Sequence, residues 1–372
     1  MAVVTESFLP QLNGVTNSVL RVLETLKQKE IEAIVIAPTA SGSFAMGFPV
    51  YTTASVPLLQ FAIGVPGPAV SRILDQFQPD VIHVAAPFLL GAQAIGWGVK
   101  NEVPTVAVYQ TDVAGYLERY NLAFARPVME RLLVSIHQGA SLTLAPTPSS
   151  TSYLEQVGVP RVMTWGRGID LDLFNPDNFQ LNTAIELRKR FSSKPVVGFV
   201  GRLAPEKQVH RMRELFRLDA EFLVVGDGPE RSRLEALFAG RAHFTGALSG
   251  LELAGAYAAI DVFVHFGTEE TFGQTIQEAK ASGLAVVAPA CGGPVHLIQS
   301  GFDGLLVDPD LENSYLQSVQ LLLDNPSLRS ELGRNAVAAM AGKSWHANNA
   351  QLLEHYERVM LGQAVELSGE LA

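Results

Sequence analysis

Arg202 and Lys207 are two cations that follow a single apolar segment in the second half of the chain. They lie in the stretch GRLAPEK, directly after the predicted strand Val196–Val200. An arginine contacts an oxyanion through a forked pair of N–H groups, whereas a lysine acts as a point charge. Two such cations at the carboxyl end of a strand are suited to bind a diphosphate. A solvated pair at the start of a surface helix is the alternative that these residues alone leave open.

Glu270 and Glu278 form a pair of carboxylates in the stretch EETFGQTIQE. The spacing places Glu270 just ahead of a predicted helix and Glu278 inside it, a little over two helical turns further on. The backbone N–H groups of residues 271–273, at the start of this helix, are suited to bind hydroxyls or phosphate oxygens. Paired carboxylates also serve glycoside hydrolysis, but there they flank the scissile bond and are usually distant in sequence. A capped helix with one solvated glutamate is the plainer alternative.

A glycine in the first half of the chain lies at a predicted strand-to-helix turn. The strand Ala2–Thr5 leads into ESFLPQLNGVTNSV, where Asn13 and Gly14 open a helix. A glycine at this place lets a diphosphate approach the backbone amides at the positive end of the helix. An ordinary tight turn explains the same residues, and the pattern alone does not decide between the two.

Composition and the remaining motifs exclude several classes of protein. The 372 residues carry a net charge of −10, so binding of nucleic acid through a basic face is not expected. Cys291 is the only cysteine and the histidines lack zinc-binding spacing, so no metal site is expected. Asp170 and Asp172 have the spacing of an Asp-x-Asp metal-binding motif, but such tripeptides often occur by chance. Gly226 and Gly228 resemble part of a dinucleotide fingerprint whose third glycine is missing, which argues against NAD. Neither a signal peptide nor a long apolar run is recognised, so a cytoplasmic protein is predicted.

Short apolar segments alternate with amphipathic helices along the whole chain, which is the pattern of parallel α/β sheets. The predicted strands of the first series are Ala2–Thr5, Ile34–Ala37, Val50–Thr53, Val81–Val84, Thr105–Tyr109 and Leu142–Ala145. The predicted strands of the second series are Val196–Val200, Phe222–Val225, His243–Thr245, Val262–Phe266, Ala285–Pro289 and Leu305–Val307. Two Rossmann-like domains in tandem are therefore predicted. Facing each other, they would form a deep cleft at the carboxyl ends of their strands, where open α/β sheets bind ligands.

These stretches, together with VYQTD, VVGDGPER and CGGP, resemble glycosyltransferase family 4, the retaining enzymes of the GT-B fold. The resemblance extends from Glu6 to about Tyr356. It is greatest to the actinobacterial GDP-mannose-dependent α-mannosyltransferases. It implies an N-terminal acceptor domain, residues 1–170 with a returning C-terminal helix at 350–372. It also implies a C-terminal donor domain, residues 171–349.

The same resemblance implies roles for individual residues. Arg202 and Lys207 would hold the donor diphosphate, and Glu270 would contact the sugar hydroxyls as the third catalytic residue. Many relatives carry a histidine at the position of Gln110, and its neutral amide can only hydrogen-bond. The implied donor-binding residues are Gly14, Phe272, Gly273, Gln274, Thr275 and Glu278, of which Glu278 would hold the ribose. The implied residues on the acceptor side of the cleft are Asn13, Gln110 and Asp112.

The function expected from the resemblance is transfer of a hexose with retention. The predicted donor is GDP-mannose, and the predicted acceptor is a glycolipid or lipoglycan of the cell envelope. Fixed cations and helix ends are suited to stabilise the leaving diphosphate, so no metal or other cofactor is expected. A UDP-sugar-dependent glycolipid transferase, a nucleotide-sugar epimerase of the same fold and a non-catalytic nucleotide-sugar sensor are the alternatives.

The expected partners are therefore a nucleotide sugar and a lipid-linked acceptor, and not nucleic acid. Most of the acidic excess of the chain lies in its second half, so an anionic bilayer would repel the first domain less than the second. The apolar stretch 116–134 of the first domain also carries Arg119, Arg126 and Arg131. Peripheral contact with the inner face of the plasma membrane is predicted through this domain, with ordinary core-facing helices as the alternative.

Overall fold

The computed structural model describes residues 1–11, 13–58, 61–110, 126–191, 193–270 and 272–363. The chain divides into two compact units. The first comprises Met1–Arg167 and the C-terminal segment that begins at Trp345, and the second comprises Gly168–Ser344. The sequence analysis predicted the domain boundaries after residues 170 and 349.

The first unit is built on a sheet of eight strands, and a separate antiparallel pair of strands accompanies it. Its strands are β1 (Ala2–Thr5), β2 (Ile34–Ala37), β3 (Phe44–Ala45), β4 (Phe48–Thr52), β5 (Ser55–Leu58), β6 (Phe61–Gly64), β7 (Ile82–Ala85), β8 (Thr105–Val108), β9 (Leu142–Ala145) and β10 (Val162–Thr164). The order in the sheet is β10-β9-β8-β7-β1-β2-β4-β3, and every pair is parallel except β3 with β4. The helices of this unit are α1 (Gly14–Gln28), α2 (Pro68–Phe77), α3 (Leu89–Asn101), α4 (Arg126–Gln138) and α5 (Pro148–Val157).

The second unit is built on a six-stranded sheet in which every pair is parallel. Its strands are β11 (Val196–Val200), β12 (Glu221–Val225), β13 (His243–Gly246), β14 (Val262–Val264), β15 (Ala285–Pro289) and β16 (Leu305–Val307). Their order, β13-β12-β11-β14-β15-β16, is that of a Rossmann sheet. The helices are α6 (Asn182–Arg190), α7 (Arg231–Phe238), α8 (Gly250–Ala258), α9 (Gln274–Ala281), α10 (Pro294–Leu297), α11 (Ser314–Asp324) and α12 (Pro326–Met340).

The last helix, α13 (Trp345–Met360), belongs to the first unit. Asn349 Nδ2 donates to Thr25 Oγ1 of α1 at 2.8 Å, and Tyr356 Oη lies 2.7 Å from His83 Nδ1 of β7. Burial lowers the pKa of His83 to about 4, so this contact joins two neutral groups near neutral pH. Polar contacts therefore join α13 both to the first helix and to the centre of the sheet.

Buried apolar strands place a core on both faces of each sheet. Every residue of β1, β2 and β11 is buried, as expected for parallel strands that are covered by helices on both sides. In the described part of the chain, no helix is both long enough and apolar enough to cross a membrane.

The predicted strands are all present, with ends shifted by no more than two residues. The sequence analysis missed β3, β10 and the β5–β6 pair. After β11 the chain forms two 3₁₀ helices, Pro205–Lys207 and Val209–Arg217, rather than an α-helix. Gln208 separates them with a left-handed φ of 48°.

Candidate active site

The strand order of the second unit creates a topological switch point between β11 and β14. The chain continues from β11 to β12 and β13 on one side, and then crosses to β14 on the other side. In open parallel sheets, ligands bind beside the carboxyl ends of the two strands that flank this point. Arg202 and Lys207 follow β11, and Glu270 follows β14. The three residues predicted to be catalytic therefore share one edge of one sheet.

Lys207 and Glu270 form an ion pair at this edge. Lys207 Nζ lies 2.5 Å from Glu270 Oε2, and the two side chains are 25% and 16% exposed. Burial alone would raise the pKa of Glu270, but the Lys207 ammonium outweighs it and the pKa falls to about 2. His265 Nε2 lies 3.9 Å from the same oxygen, and burial lowers the pKa of His265 to about 4. Near neutral pH, Glu270 is therefore an ionised acceptor of hydrogen bonds rather than a proton donor.

Arg202 is exposed in a loop that lies directly on a second loop of the same unit. A Cβ atom on Gly226 would stand 1.9 Å from the carbonyl oxygen of Gly201, and one on Gly228 would stand 2.3 Å from that of Leu203. The close approach of the two backbones thus explains these two glycines without a dinucleotide. They support the loop that carries Arg202.

The loop that carries Glu270 packs in the same manner on the CGGP segment. Gly293 N donates to the carbonyl oxygen of Glu270 at 2.6 Å, and a Cβ on Gly293 would stand 2.3 Å from that of Phe272. Gly273 has a φ of 106° where it caps α9, a conformation that requires glycine. Phe272 N donates to Glu270 Oε1 at 3.4 Å, whereas Thr271 lies outside the described residues.

Glu278 lies in α9 and is partly buried. Tyr257 Oη donates to Glu278 Oε2 at 2.7 Å. Burial raises the pKa of Glu278 to about 7, although the bond from Tyr257 acts in the opposite direction. Gln274 and Thr275 also lie in α9 and were also predicted to bind the donor. Gln274 Nε2 donates to the carbonyl oxygen of Gly168 at 3.2 Å, and the carbonyl oxygen of Thr275 accepts from Tyr257 Oη at 3.4 Å.

The first unit has its own switch point between β1 and β7, and α1 begins beside it. Asn13 caps α1, since its Oδ1 accepts hydrogen bonds at 3.0 Å from Val15 N and Thr16 N. A Cβ on Gly14 would stand 2.7 Å from Arg167 Nη1. A guanidinium group therefore lies against the glycine that the sequence analysis associated with a diphosphate.

Glu6 is a residue of this edge that the sequence analysis did not select. It follows β1, and its Oε1 accepts hydrogen bonds at 3.0 Å from Phe88 N and Gly91 N. The carboxylate thus caps the N-terminus of α3 from a position 82 residues earlier in the chain, where the helix dipole favours a negative charge. Burial raises the pKa of Glu6, and these backbone bonds oppose the rise. The sequence did contain a signal for this residue, because Glu6 is an acidic residue directly after the first predicted strand.

Gln110 is buried at the end of β8, and its Nε2 donates to Ser18 Oγ of α1 at 3.1 Å. This bond connects the strand to the helix that Asn13 caps. Asp112, predicted for the same side of the site, lies outside the described residues.

The acidic pair Asp170 and Asp172 has a local structural explanation. Asp170 Oδ1 accepts a hydrogen bond from Leu173 N at 3.0 Å and so closes a turn. Over the described ranges of the chain, no three His, Cys, Asp or Glu side chains are grouped so that they could hold a metal ion. Burial raises the pKa of Cys291, whose Sγ lies 3.6 Å from the carbonyl oxygen of Thr268.

Comparison with known proteins identifies the family to which this chain belongs. The sequence profile described as Glycosyltransferase Family 4 matches residues 12–173, and the profile described as Glycosyl transferases group 1 matches residues 184–338. The chain is 42% identical to the GDP-mannose-dependent alpha-mannosyltransferase of Corynebacterium glutamicum over 99% of this chain and 91% of that one. The chain belongs to glycosyltransferase family 4.

This chain is also 42% identical to the GDP-mannose-dependent alpha-mannosyltransferase of Mycobacterium tuberculosis, with 96% of each chain covered. A similar solved structure is that of Anabaena Alr3699/HepE in complex with UDP. It has a TM-score of 0.79 and 21% identity, and covers 96% of this chain and 99% of that one. This second likeness concerns the fold, and it confirms the predicted α/β architecture of the GT-B type with two Rossmann-like domains.

Proposed function

We propose that this glycosyltransferase transfers mannose from GDP-mannose to a lipid-linked acceptor, with retention of configuration. Identity of 42% with two GDP-mannose-dependent alpha-mannosyltransferases, over nearly the whole chain, is the observation that supports this donor. The ion pair at the switch point of the second unit supports the placement of the chemistry there.

We infer that Arg202 and Lys207 stabilise the negative charge that develops on the departing diphosphate. An exposed guanidinium can reach an incoming phosphate, while the partly buried Lys207 ammonium is already oriented by Glu270. Preorganised charges of this kind act on the transition state without reorganisation when the bond breaks. Because its pKa is about 2, Glu270 accepts hydrogen bonds from the sugar hydroxyls and does not protonate the leaving group.

The proposed transfer forms one bond and breaks one bond at the anomeric carbon. The acceptor hydroxyl attacks from the face that the diphosphate leaves, the carbon–oxygen bond to the diphosphate breaks, and a phosphate oxygen takes the hydroxyl proton. Retention then requires no covalent intermediate on a side chain. The positive charge on the sugar ring and the negative charge on the diphosphate stay adjacent, so the cations act where the charge is largest.

The donor and the acceptor can be tested in one assay. Purified protein is incubated with radiolabelled GDP-mannose, GDP-glucose, UDP-glucose or UDP-sulfoquinovose and a membrane lipid extract, and label is followed into the organic phase. Transfer from GDP-mannose alone is expected. Transfer from a UDP-sugar would replace the proposed donor, and an epimerised sugar without transfer would replace the proposed reaction. Nucleotide-sugar binding without turnover would indicate a sensor.

We propose that the reaction needs no metal, since Arg202 and Lys207 supply the positive charge that a divalent ion supplies elsewhere. Activity is expected to persist in EDTA. A strict requirement for Mg²⁺ or Mn²⁺, restored on titration, would contradict this proposal. The carboxylates of Asp170 and Asp172 would then be the first ligands to test.

A further inference from the structure

Tyr257 is a buried residue whose hydroxyl group faces the carboxylate of Glu278 in α9. It lies in α8, and the tyrosine as a whole has no exposed surface. Its ring makes a T-shaped contact with Phe174 at 5.6 Å and a tilted contact with Phe263 at 5.9 Å between ring centroids. These contacts fix the direction of the hydroxyl, which donates to Glu278 Oε2 at 2.7 Å.

The hydrogen bond gives the two oxygens of Glu278 different roles. Oε2 is engaged by a phenol whose own pKa is raised well above its ordinary value by burial, so Tyr257 remains protonated and donating. Oε1 is then the oxygen left to accept a hydrogen bond from a ligand. The bond also restricts rotation of the carboxylate about the last side-chain torsion, which is otherwise broad.

We propose that Tyr257 is a positioning residue that orients Glu278 toward the ribose hydroxyls of the donor nucleotide. The inference rests on the proposed function, in which Glu278 binds the ribose. Tyr257 contacts no reacting atom and acts through Glu278. Loss of its hydroxyl is expected to weaken contacts to the ribose while leaving contacts to the diphosphate intact.

The test compares Tyr257→Phe with a matched control, Tyr356→Phe. Tyr356 is also buried, and its hydroxyl lies 2.7 Å from a side-chain partner in the first unit. Dissociation constants are measured by calorimetry for GDP, for 2′,3′-dideoxy-GDP and for inorganic pyrophosphate. Tyr257→Phe is expected to weaken GDP about tenfold, as loss of one oriented hydrogen bond implies. Binding of the dideoxy nucleotide and of pyrophosphate is expected to be unchanged, and Tyr356→Phe should bind all three like the wild type.

Two further variants separate the inference from the function on which it rests. Glu278→Gln keeps the length of the side chain but removes its charge, so it tests the contact of Glu278 with the ribose directly and should weaken binding of GDP. The double variant Tyr257→Phe with Glu278→Gln should bind GDP no more weakly than Glu278→Gln alone, because Tyr257 acts through the carboxylate.

The possible failures are distinguishable. If Glu278→Gln weakens GDP and Tyr257→Phe does not, the positioning role of Tyr257 is wrong and the ribose contact stands. If Glu278→Gln binds GDP like the wild type, the ribose contact itself is wrong. Equal weakening of GDP and pyrophosphate in Tyr257→Phe would show a general loss of structure and would also overturn the inference.

Discussion

The two switch points of this glycosyltransferase use their polar side chains differently. In the second unit, Lys207 and Glu270 hold opposite charges 2.5 Å apart beside an exposed arginine. In the first unit, the polar groups at the equivalent edge fix helices, since Asn13 caps α1, Glu6 caps α3 and Gln110 binds Ser18. The second edge therefore carries an ion pair beside an exposed cation, whereas the polar groups of the first edge mainly set its own geometry.

Removing a cation from the second edge should produce the largest effect. Arg202→Ala or Lys207→Ala is expected to lower kcat by about 10²- to 10³-fold, because each loses a preorganised charge at the leaving group. Lys207→Ala should also lower the free energy of unfolding, since it leaves Glu270 buried without its partner. Single-turnover kinetics and urea unfolding measure the two effects.

Lys194→Ala is the matched control for these variants, because its ion pair with Asp219 is largely exposed and lies before the amino ends of β11 and β12, opposite the end that carries Arg202. It should change neither kcat nor stability appreciably. Normal turnover in Arg202→Ala would remove the distinction between the two edges.

Glycines at the two edges should tolerate a methyl group very differently. Gly226→Ala places a Cβ 1.9 Å from a backbone oxygen at a φ of 139°, and a cost of about 2 kcal/mol or more in the free energy of unfolding is expected. Gly14→Ala meets the movable end of Arg167, so its cost should stay within about 1 kcal/mol.

Gly96→Ala, which has no neighbour within 4 Å of the added Cβ, provides the baseline. Thermal unfolding of the three variants measures the difference. A large loss of stability in Gly14→Ala would show that the first edge is as tightly packed as the second.

A titration near neutral pH is expected for the second edge. Burial raises the pKa of Glu278 to about 7, so Glu278 is mostly protonated at pH 6 and mostly ionised at pH 8. An ionised carboxylate accepts stronger hydrogen bonds, so the affinity for GDP-mannose should rise up to about tenfold over this range. Glu278→Gln should abolish the dependence, and a pH-independent affinity in the wild type would contradict the ribose role.

The same shift affects stability with the opposite sign. The pKa of Glu278 in the folded protein exceeds that of the unfolded chain, so the folded protein binds the proton more tightly. The contribution of Glu278 to the free energy of unfolding is therefore fully present at low pH and decreases as the pH rises through 7. Chemical unfolding of wild type and Glu278→Gln at pH 5 and pH 8 measures this contribution.

The smallest effect is expected for membrane contact through the first unit. Arg126 pairs with Glu130 at 2.8 Å, which offsets part of its charge, while Arg131 is exposed and Arg119 lies outside the described residues. Reversing all three charges should weaken sedimentation with anionic liposomes, by less than three uncompensated cations would give. GDP-mannose binding should not change. Undiminished liposome binding would place the membrane contact elsewhere.

Local pattern was sufficient for much of this fold and for the position of its site. The apolar runs predicted β11 to β16 of the second unit and most of the central strands of the first, and their alternation with helices predicted parallel sheets. Because parallel strands end at a common edge, the residues that directly follow β11 and β14 could be expected near one another. Arg202, Lys207 and Glu270 follow these strands, and the family resemblance implied their roles.

Tertiary structure decided how those residues are paired and supported. The bond from Tyr257 to Glu278, the cap that Glu6 provides for α3 and the guanidinium of Arg167 against Gly14 each join elements that are distant in sequence. No spacing rule encodes such contacts, because they depend on how separate helices and strands pack. The sequence by itself determined which edge of each sheet carries polar and charged side chains. Packing determined which of these side chains form ion pairs and which cap or fix helices.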